Sequence, residues 1–295
     1  MILMNKKKVA IIGLGNWSKK MLSYFNLVSD VKYCCTTGRK KNIDWLKLNF
    51  PNILHTKDLT EVLTDSDIEV VIIATPIVSH FDLAKKALNS EKHVFLEKPA
   101  SNKSVEVKYL EELAKSKKKY LFVDQVFSYD ENYIILRKKL INERIISINC
   151  QWNKWGTFKE NIVWNLLYHD LYLLNILIDK FSIKEFYKKI IFNNYVNVSF
   201  RLGSNEKISI KINRMSLFKK KVFRIKTDKS EYTWTNNKLF MNENGRDILL
   251  NKNDNLNIKR MIKDFFVQIN DGKTGINSRL PLKTCELTEY FLDEI

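Results

Sequence analysis

Short runs of apolar and β-branched residues recur through the first 125 positions: VAIIGL from residue 9, VKYCCT from 31, VVIIAT from 70, HVFLE from 93 and YLFVD from 120. Their apolarity is nearly continuous, as in strands covered on both faces. Amphipathic stretches lie between them at about 17–27, 43–49, 78–89 and 104–117. This alternation predicts βαβ units and a parallel sheet. Beyond about residue 130 the texture changes. A helix is predicted near 132–141, a strand near 145–152 and a more apolar helix over 163–178. Residues 196–202, 207–213, 222–227 and 231–234 alternate or carry β-branched residues between turn formers, as antiparallel strands with one solvated face do. Helices are predicted again at about 257–270 and 282–293.

A chain of 295 residues suits two domains. Apolar residues at 45% and charged residues at 28% predict soluble, globular folding. The net charge of +17 raises the question of nucleic acid, but the lysines come as scattered runs at 6–8, 117–119 and 219–221. They are read as solvated surface, with no nucleic-acid partner expected; their field would favour an anionic substrate. Cys34, Cys35, Cys150 and Cys285 lack metal-ligand spacing and disulfide density, so no metal is expected and a reducing cytoplasm is the simplest setting. The N-terminal charges lead into a first strand without a leader cleavage region, and no apolar stretch reaches the length of a membrane span.

Gly13, Gly15 and Ser18 occupy a G-x-G-x-x-[G] frame between the first strand and the first helix. Glycines there allow a tight turn and close approach of a pyrophosphate, whose charge meets free N–H groups at the helix N-terminus. A tight turn with no ligand would look the same locally; the strands that follow favour dinucleotide binding. The second strand ends in CCTTGRKKN, where Thr36, Thr37, Arg39, Lys40 and Lys41 offer hydroxyls and cations but no carboxylate. That suits the 2′-phosphate of NADP better than the bare ribose of NAD.

ATPIVSH at 74–80 followed by HVFLEKP at 93–99 resembles the glucose-fructose oxidoreductase and inositol dehydrogenase family (Gfo/Idh/MocA). GLGNWSKKM is similar to the family's first turn, and the likeness runs through VDQVFSYDENYIILRKKL into WGTFKENIVWNLLYHDLYLLNIL, which resembles members acting on nucleotide-linked amino sugars. The resemblance implies an α/β chain with a Rossmann domain over 1–126. It implies an α+β domain over 127–295, with a mostly antiparallel open sheet, for substrate binding and homo-oligomer formation. Gly13, Gly15, Asn16, Trp17, Thr36, Arg39, Thr75, Pro76, His80, Glu97 and Lys98 are the implied cofactor-binding residues. Lys98 and His169 are placed at the substrate, with Asn165 where the family has an aspartate.

Asn165 and His169 are four apart, which sets both on one face of a regular helix. A lysine beside a sugar carbonyl can donate a proton or stabilise oxyanion charge, and a histidine can exchange a proton near neutral pH. Asn165 can do neither. The leading expectation is an NAD(P)-dependent oxidoreductase acting on a sugar or nucleotide-sugar carbinol or keto carbon. The alternatives are a dinucleotide-binding protein with lost or weakened catalysis, acting as a sensor or assembly partner, and more distantly an electrostatic nucleic-acid binder. His93 is read as structural or cofactor-adjacent, and Trp152, Trp155 and Trp164 as core.

Overall fold

The computed structural model describes residues 6–156, 160–178, 180–243 and 245–293. Residues 1–5 of the first predicted domain and 157–159 of the quoted WGTFKEN segment lie outside them. The chain divides into two compact units, residues 1–125 with 258–286 and residues 126–257 with 287–295.

The first unit is built on parallel strands β1 (Lys8–Ile12), β2 (Asp30–Cys35), β3 (Leu54–Thr56), β4 (Val70–Ile73), β5 (His93–Leu96) and β6 (Tyr120–Val123). Between them run helices α1 (Asn16–Val28), α2 (Lys40–Asn49), α3 (Leu59–Thr64), α4 (His80–Asn89) and α5 (Ser104–Ser116). The strand order β6-β5-β4-β1-β2-β3 reverses between β1 and β4, where open α/β sheets bind ligands at the carboxyl ends of their strands. Every residue of β4 and β6 is buried, which explains their unbroken apolarity.

In the second unit, helices α6 (Glu131–Lys139) and α7 (Tyr168–Leu177) accompany strands β7 (Ile145–Asn153), β8 (Ile183–Phe192), β9 (Tyr195–Leu202), β10 (Lys207–Asn213), β11 (Lys220–Thr227), β12 (Glu231–Thr235), β13 (Lys238–Glu243) and β14 (Arg246–Lys252). The sheet order is β14-β13-β12-β11-β7-β10-β9-β8, antiparallel except where β7 pairs with β10. Along β9 every second residue is buried. Val196, Val198 and Phe200 there join Ile208 to Ile212 of β10 and Leu167, Leu171 and Leu174 of the helical layer in one core.

The chain then returns to the first unit through α8 (Asn257–Asn270), the short strand β15 (Gly275–Ile276) and the start of α9 (Leu280–Asp293). This corrects the assignment of everything from 127 onward to a second domain. β15 extends the parallel sheet beside β6, and Phe265 packs edge-on to Phe95 at 5.3 Å and Phe122 at 5.5 Å between ring centroids. Among the described residues no helix is long and apolar enough to cross a membrane.

Candidate functional site

At the head of β1 the backbone of Gly13 takes φ +95, and a Cβ there would meet the Ala74 carbonyl oxygen at 2.4 Å. Only glycine fits, because the turn passes directly over the end of β4. Gly15 is different: a Cβ on it would meet nothing within 4 Å. It stands at the N-cap of α1 with no side-chain cap and no acidic residue in the first turn, so the N–H groups and positive end of the helix face open space. Exposed Asn16 and half-buried Trp17 follow. The Trp17 indole donates to Asp124 Oδ2 at 3.0 Å, tying α1 to the end of β6. Ser18, the departure from the third glycine, is buried, and its hydroxyl donates to the Ala74 carbonyl at 3.0 Å. A small side chain is kept there and gains a bond to the neighbouring strand.

Past β2, the Gly38 N–H donates to Thr36 Oγ1 at 3.0 Å and fixes the turn that carries exposed Arg39. Arg39 is the N-cap residue of α2, and its side chain makes no capping bond. No acidic residue occupies the first turn of that helix.

Past β4, Thr75 Oγ1 and Ser79 Oγ lie 2.8 Å apart, and the Ser79 hydroxyl donates to the Pro76 carbonyl at 2.8 Å. Glu97 and Lys98 follow β5, where the Glu97 N–H donates to the Ile73 carbonyl at 2.9 Å and Lys98 is buried in the turn. The Lys98–Pro99 peptide is cis. His80 is fully buried, with Nδ1 2.8 Å from the Pro99 carbonyl and Nε2 2.8 Å from the Thr75 carbonyl. Its expected cofactor contact is therefore corrected: His80 laces the Thr75–Pro76 turn to the Lys98–Pro99 turn. His93 also serves the fold, accepting from the Tyr120 N–H at Nδ1, 3.0 Å away. Burial holds its imidazole down to about 4, so it stays neutral.

Asn165 and His169 belong to the second unit. Residues Val163–Leu167 form a π-turn, in which the Tyr168 N–H reaches the Val163 carbonyl five residues back. The predicted four-residue face is altered by this, since a π-turn widens the helix and stacks residues five apart. Asn165 and His169 are both half-buried. The His169 ring stands edge-on to Phe127, centroids 4.9 Å apart, and 5.8 Å from Trp152. Trp152 and Trp164 are buried as expected; Trp155 is 58% exposed and is no core residue.

Sequence reasoning missed Lys221. It belongs to the 219–221 run read as solvated, yet its Nζ lies 3.0 Å from the Phe127 ring centroid and 4.2 Å from that of Trp152. The signal was phase: Lys221 shares the alternation of Phe223 and Ile225, both buried, whereas Lys220 and Arg224 point outward. Asp170 was noted only as the partner of His169 in the sequence. It is 2% exposed, and burial pushes its carboxyl up to about 6 against the attraction of Lys221.

The profile described as "Oxidoreductase family, NAD-binding Rossmann fold" (GFO_IDH_MocA) matches residues 7–125, the stretch that forms the glycine turn and the parallel sheet. Over these residues the chain matches the NAD-binding Rossmann fold of the Gfo/Idh/MocA oxidoreductase family. An uncharacterized oxidoreductase of Schizosaccharomyces pombe is 38% identical over 146 residues, which is 47% of this chain and 38% of that protein. The scyllo-inositol 2-dehydrogenase (NADP(+)) IolW of Bacillus subtilis is 32% identical over 117 residues, 40% of this chain and 33% of the relative. The matched stretch thus spans well under half of these relatives. The UDP-N-acetylglucosamine 3-dehydrogenase GnnA of Acidithiobacillus ferrooxidans superposes with a TM-score of 0.86 over 97% of each chain at 14% identity, a likeness of fold. The Gfo/Idh/MocA match therefore rests on residues 7–125, and over the rest of the chain the likeness is one of fold alone.

Proposed function

We propose that this chain is an NAD(P)-dependent oxidoreductase that moves a hydride between the nicotinamide and a hydroxyl or keto carbon of a sugar, including a nucleotide-linked one. The observation that carries the reading is the glycine turn. Gly13 has no room for a side chain and Gly15 leaves open space before an uncapped helix N-terminus, a fit to the pyrophosphate of a dinucleotide. Sugar-type dehydrogenases among the relatives and fold neighbours support the substrate class.

The nicotinamide would supply or receive the hydride; the chain's own groups bind, orient and handle the proton. Gly13, Gly15, Asn16 and Trp17 would hold the pyrophosphate side, Thr36 and Arg39 the ribose side with NADP favoured, and Thr75, Pro76 and Glu97 the nicotinamide side. Lys98 would donate a hydrogen bond or proton to the substrate oxygen, and His169 would exchange the proton. Asn165 would orient by hydrogen bonds alone. The outer face of the second sheet is the proposed site of homo-oligomer contact, and a cytoplasmic setting suits four buried, unbridged cysteines.

Sugar-dependent change in NADPH or NADP absorbance, over a panel of inositols and nucleotide sugars, tests the reading. Turnover that falls about 100-fold or more in Lys98→Met supports it, that being the usual weight of one acid–base group. Dinucleotide binding without turnover on any sugar alcohol or keto sugar would support the sensor alternative instead. Absence of binding to either dinucleotide would sink both.

A further inference from the structure

The outer face of the second unit's sheet is unevenly charged, and cross-strand register shows how. The row through Ser147 sets Arg201, Lys207 and Lys226 among Glu185, Glu231 and Asp247, three cations with three carboxylates. The next two rows, through Asn149 and Gln151, carry Lys188, Arg224, Lys211, Lys238 and Lys252 and no carboxylate. A face shaped by solubility alone would intersperse the two signs, since like charges on neighbouring strands repel.

Gln151 of β7 stands at the centre of the basic rows. Lys211 of β10 lies directly across from it, and Lys220 and Arg224 of β11 are its diagonal neighbours, opposite Asn153 and Asn149. Strand spacing and rise put the three cations about 5 to 8 Å from Gln151 at their Cβ atoms, within reach of one another's long side chains. These residues line a depression of about 290 Å³ together with Asn149, Ser209 and Val222. Its lining offers three cations, two amides and a hydroxyl, all from the second unit, and no acidic group. Glu231 touches one edge: its Oε1 is 3.3 Å from Arg224 Nε, which also donates to Thr233 Oγ1 at 3.3 Å. Both act on Nε, so the Nη groups of the fork are the ones an anion would take.

Sites for uncharged small molecules are lined mainly by apolar side chains with a few polar groups. Here the proportions are reversed. An oxyanion with several charged oxygens can accept charge-assisted hydrogen bonds from all three cations at once, which a monovalent ion cannot. We propose that the depression around Gln151 is a binding site for a multivalent oxyanion of the phosphate class, held by Lys211, Lys220 and Arg224 and hydrogen-bonded by Asn149, Gln151 and Ser209. It belongs to the other unit from the glycine turn and does not depend on the reading of that turn. One consequence does rest on the homo-oligomer reading above: a bound anion offsets the charge that a second copy would meet on this face, so its binding should promote association there.

Calorimetric titration of the full chain with inorganic pyrophosphate, at an ionic strength held constant with sodium chloride, tests the site. Any pyrophosphate taken by the glycine turn is identified by its loss in Gly15→Val. A separate binding event should survive that change and disappear in Gln151→Glu, which keeps the side chain's shape but sets a carboxylate among the three cations. Lys211→Gln with Lys220→Gln should weaken the event about ten-fold or more, and carries the test should Gln151→Glu fail to fold. Lys207→Gln with Lys226→Gln, one row away, should change it less than about two-fold, because the contact is short-ranged under screening. UDP in place of pyrophosphate identifies the source: equal affinity means that the site reads phosphates alone, and tighter binding through the same residues means a nucleotide. No event sensitive to Gln151→Glu or to the Lys211 and Lys220 pair, or equal sensitivity to the Lys207 and Lys226 pair, would overturn the proposal. Sedimentation velocity on the same samples separates the consequence from the site. Binding without association keeps the site and removes its link to the homo-oligomer; a dimer through this face already complete in chloride, with no pyrophosphate event, gives the depression to a second copy and overturns the site.

Discussion

Ser18 donates its hydroxyl to the Ala74 carbonyl at 3.0 Å, and that oxygen is the atom a Cβ on Gly13 would strike. One carbonyl at the end of β4 thus explains two positions of the glycine frame. It excludes any side chain at 13 and rewards a small hydroxyl at 18, while position 15 faces open space.

The two glycines should therefore fail in different ways. Gly13→Ala, with a positive φ and a backbone clash, should cost about 2–4 kcal/mol of stability. Gly15→Val should cost about 1 kcal/mol, the loss of a tolerated N-cap, yet abolish dinucleotide binding by filling the space before α1. Urea denaturation and NADPH titration of both variants separate the cases. A Gly15→Val chain that still binds NADPH normally would show that the pyrophosphate does not sit there.

Arg39, presented by the turn that Thr36 and Gly38 close, should read the 2′-phosphate. NADPH should bind about ten-fold more tightly than NADH, the weight of a charge-assisted contact, with the gap shrinking as salt screens it. Arg39→Asp should reverse the preference. Equal wild-type affinities in calorimetry would remove Arg39 from the cofactor site.

How much of this was legible depended on the kind of signal each residue leaves. β1, β2, β4, β5 and β6 announced themselves because burial on both faces writes continuous apolar runs. β3 and β15, three and two residues long, are too short to leave a pattern. β8 hides for another reason: register irregularities near Ile183 and Phe186 break its alternation. The return of 258–286 to the first unit could not be read locally, since Phe265 finds its partners in β5 and β6 far back along the chain. At the site, Gly13 and Lys98 stand in recognisable frames. Lys221 stood in a lysine run, and only its phase with Phe223 and Ile225 betrays it.

Two buried groups should pull the pH dependence of stability in opposite directions between about pH 4 and 6. His93, held down to about 4 from 6.5, refuses a proton that the unfolded chain accepts, so its contribution is lost as pH falls. Asp170, pushed up to about 6 from 3.8, keeps a proton the unfolded chain has released, so stability is lost as pH rises. Their slopes oppose one another in wild type. Denaturant midpoints should fall with rising pH more steeply in His93→Gln than in wild type, and rise with pH in Asp170→Asn relative to wild type. Parallel profiles for all three chains would contradict both assignments.

The last prediction concerns self-association through the outer face of the second sheet. Cross-strand register lines up Lys226, Ser147, Lys207 and Arg201 in one row, Arg224, Asn149 and Ser209 in the next, and Val222, Gln151 and Lys211 in a third. Around the centre they form a shallow depression of about 290 Å³ that also takes in Lys220. Glu185 and Glu231 answer part of this charge, each 3.3 Å from Arg201 and Arg224 respectively, while Lys207, Lys211, Lys220 and Lys226 stay exposed. Two copies meeting face to face would bring these cations together, and exposed ion pairs contribute too little to offset that. Self-association here should accordingly strengthen as salt rises and screens the repulsion, the reverse of an interface held by ion pairs. Lys207→Glu with Lys211→Glu should promote it at low salt by supplying charges of opposite sign to the remaining lysines. Sedimentation velocity at low and high ionic strength decides the matter: association that weakens with salt puts the interface elsewhere, and a monomer under every condition removes the homo-oligomer from the reading.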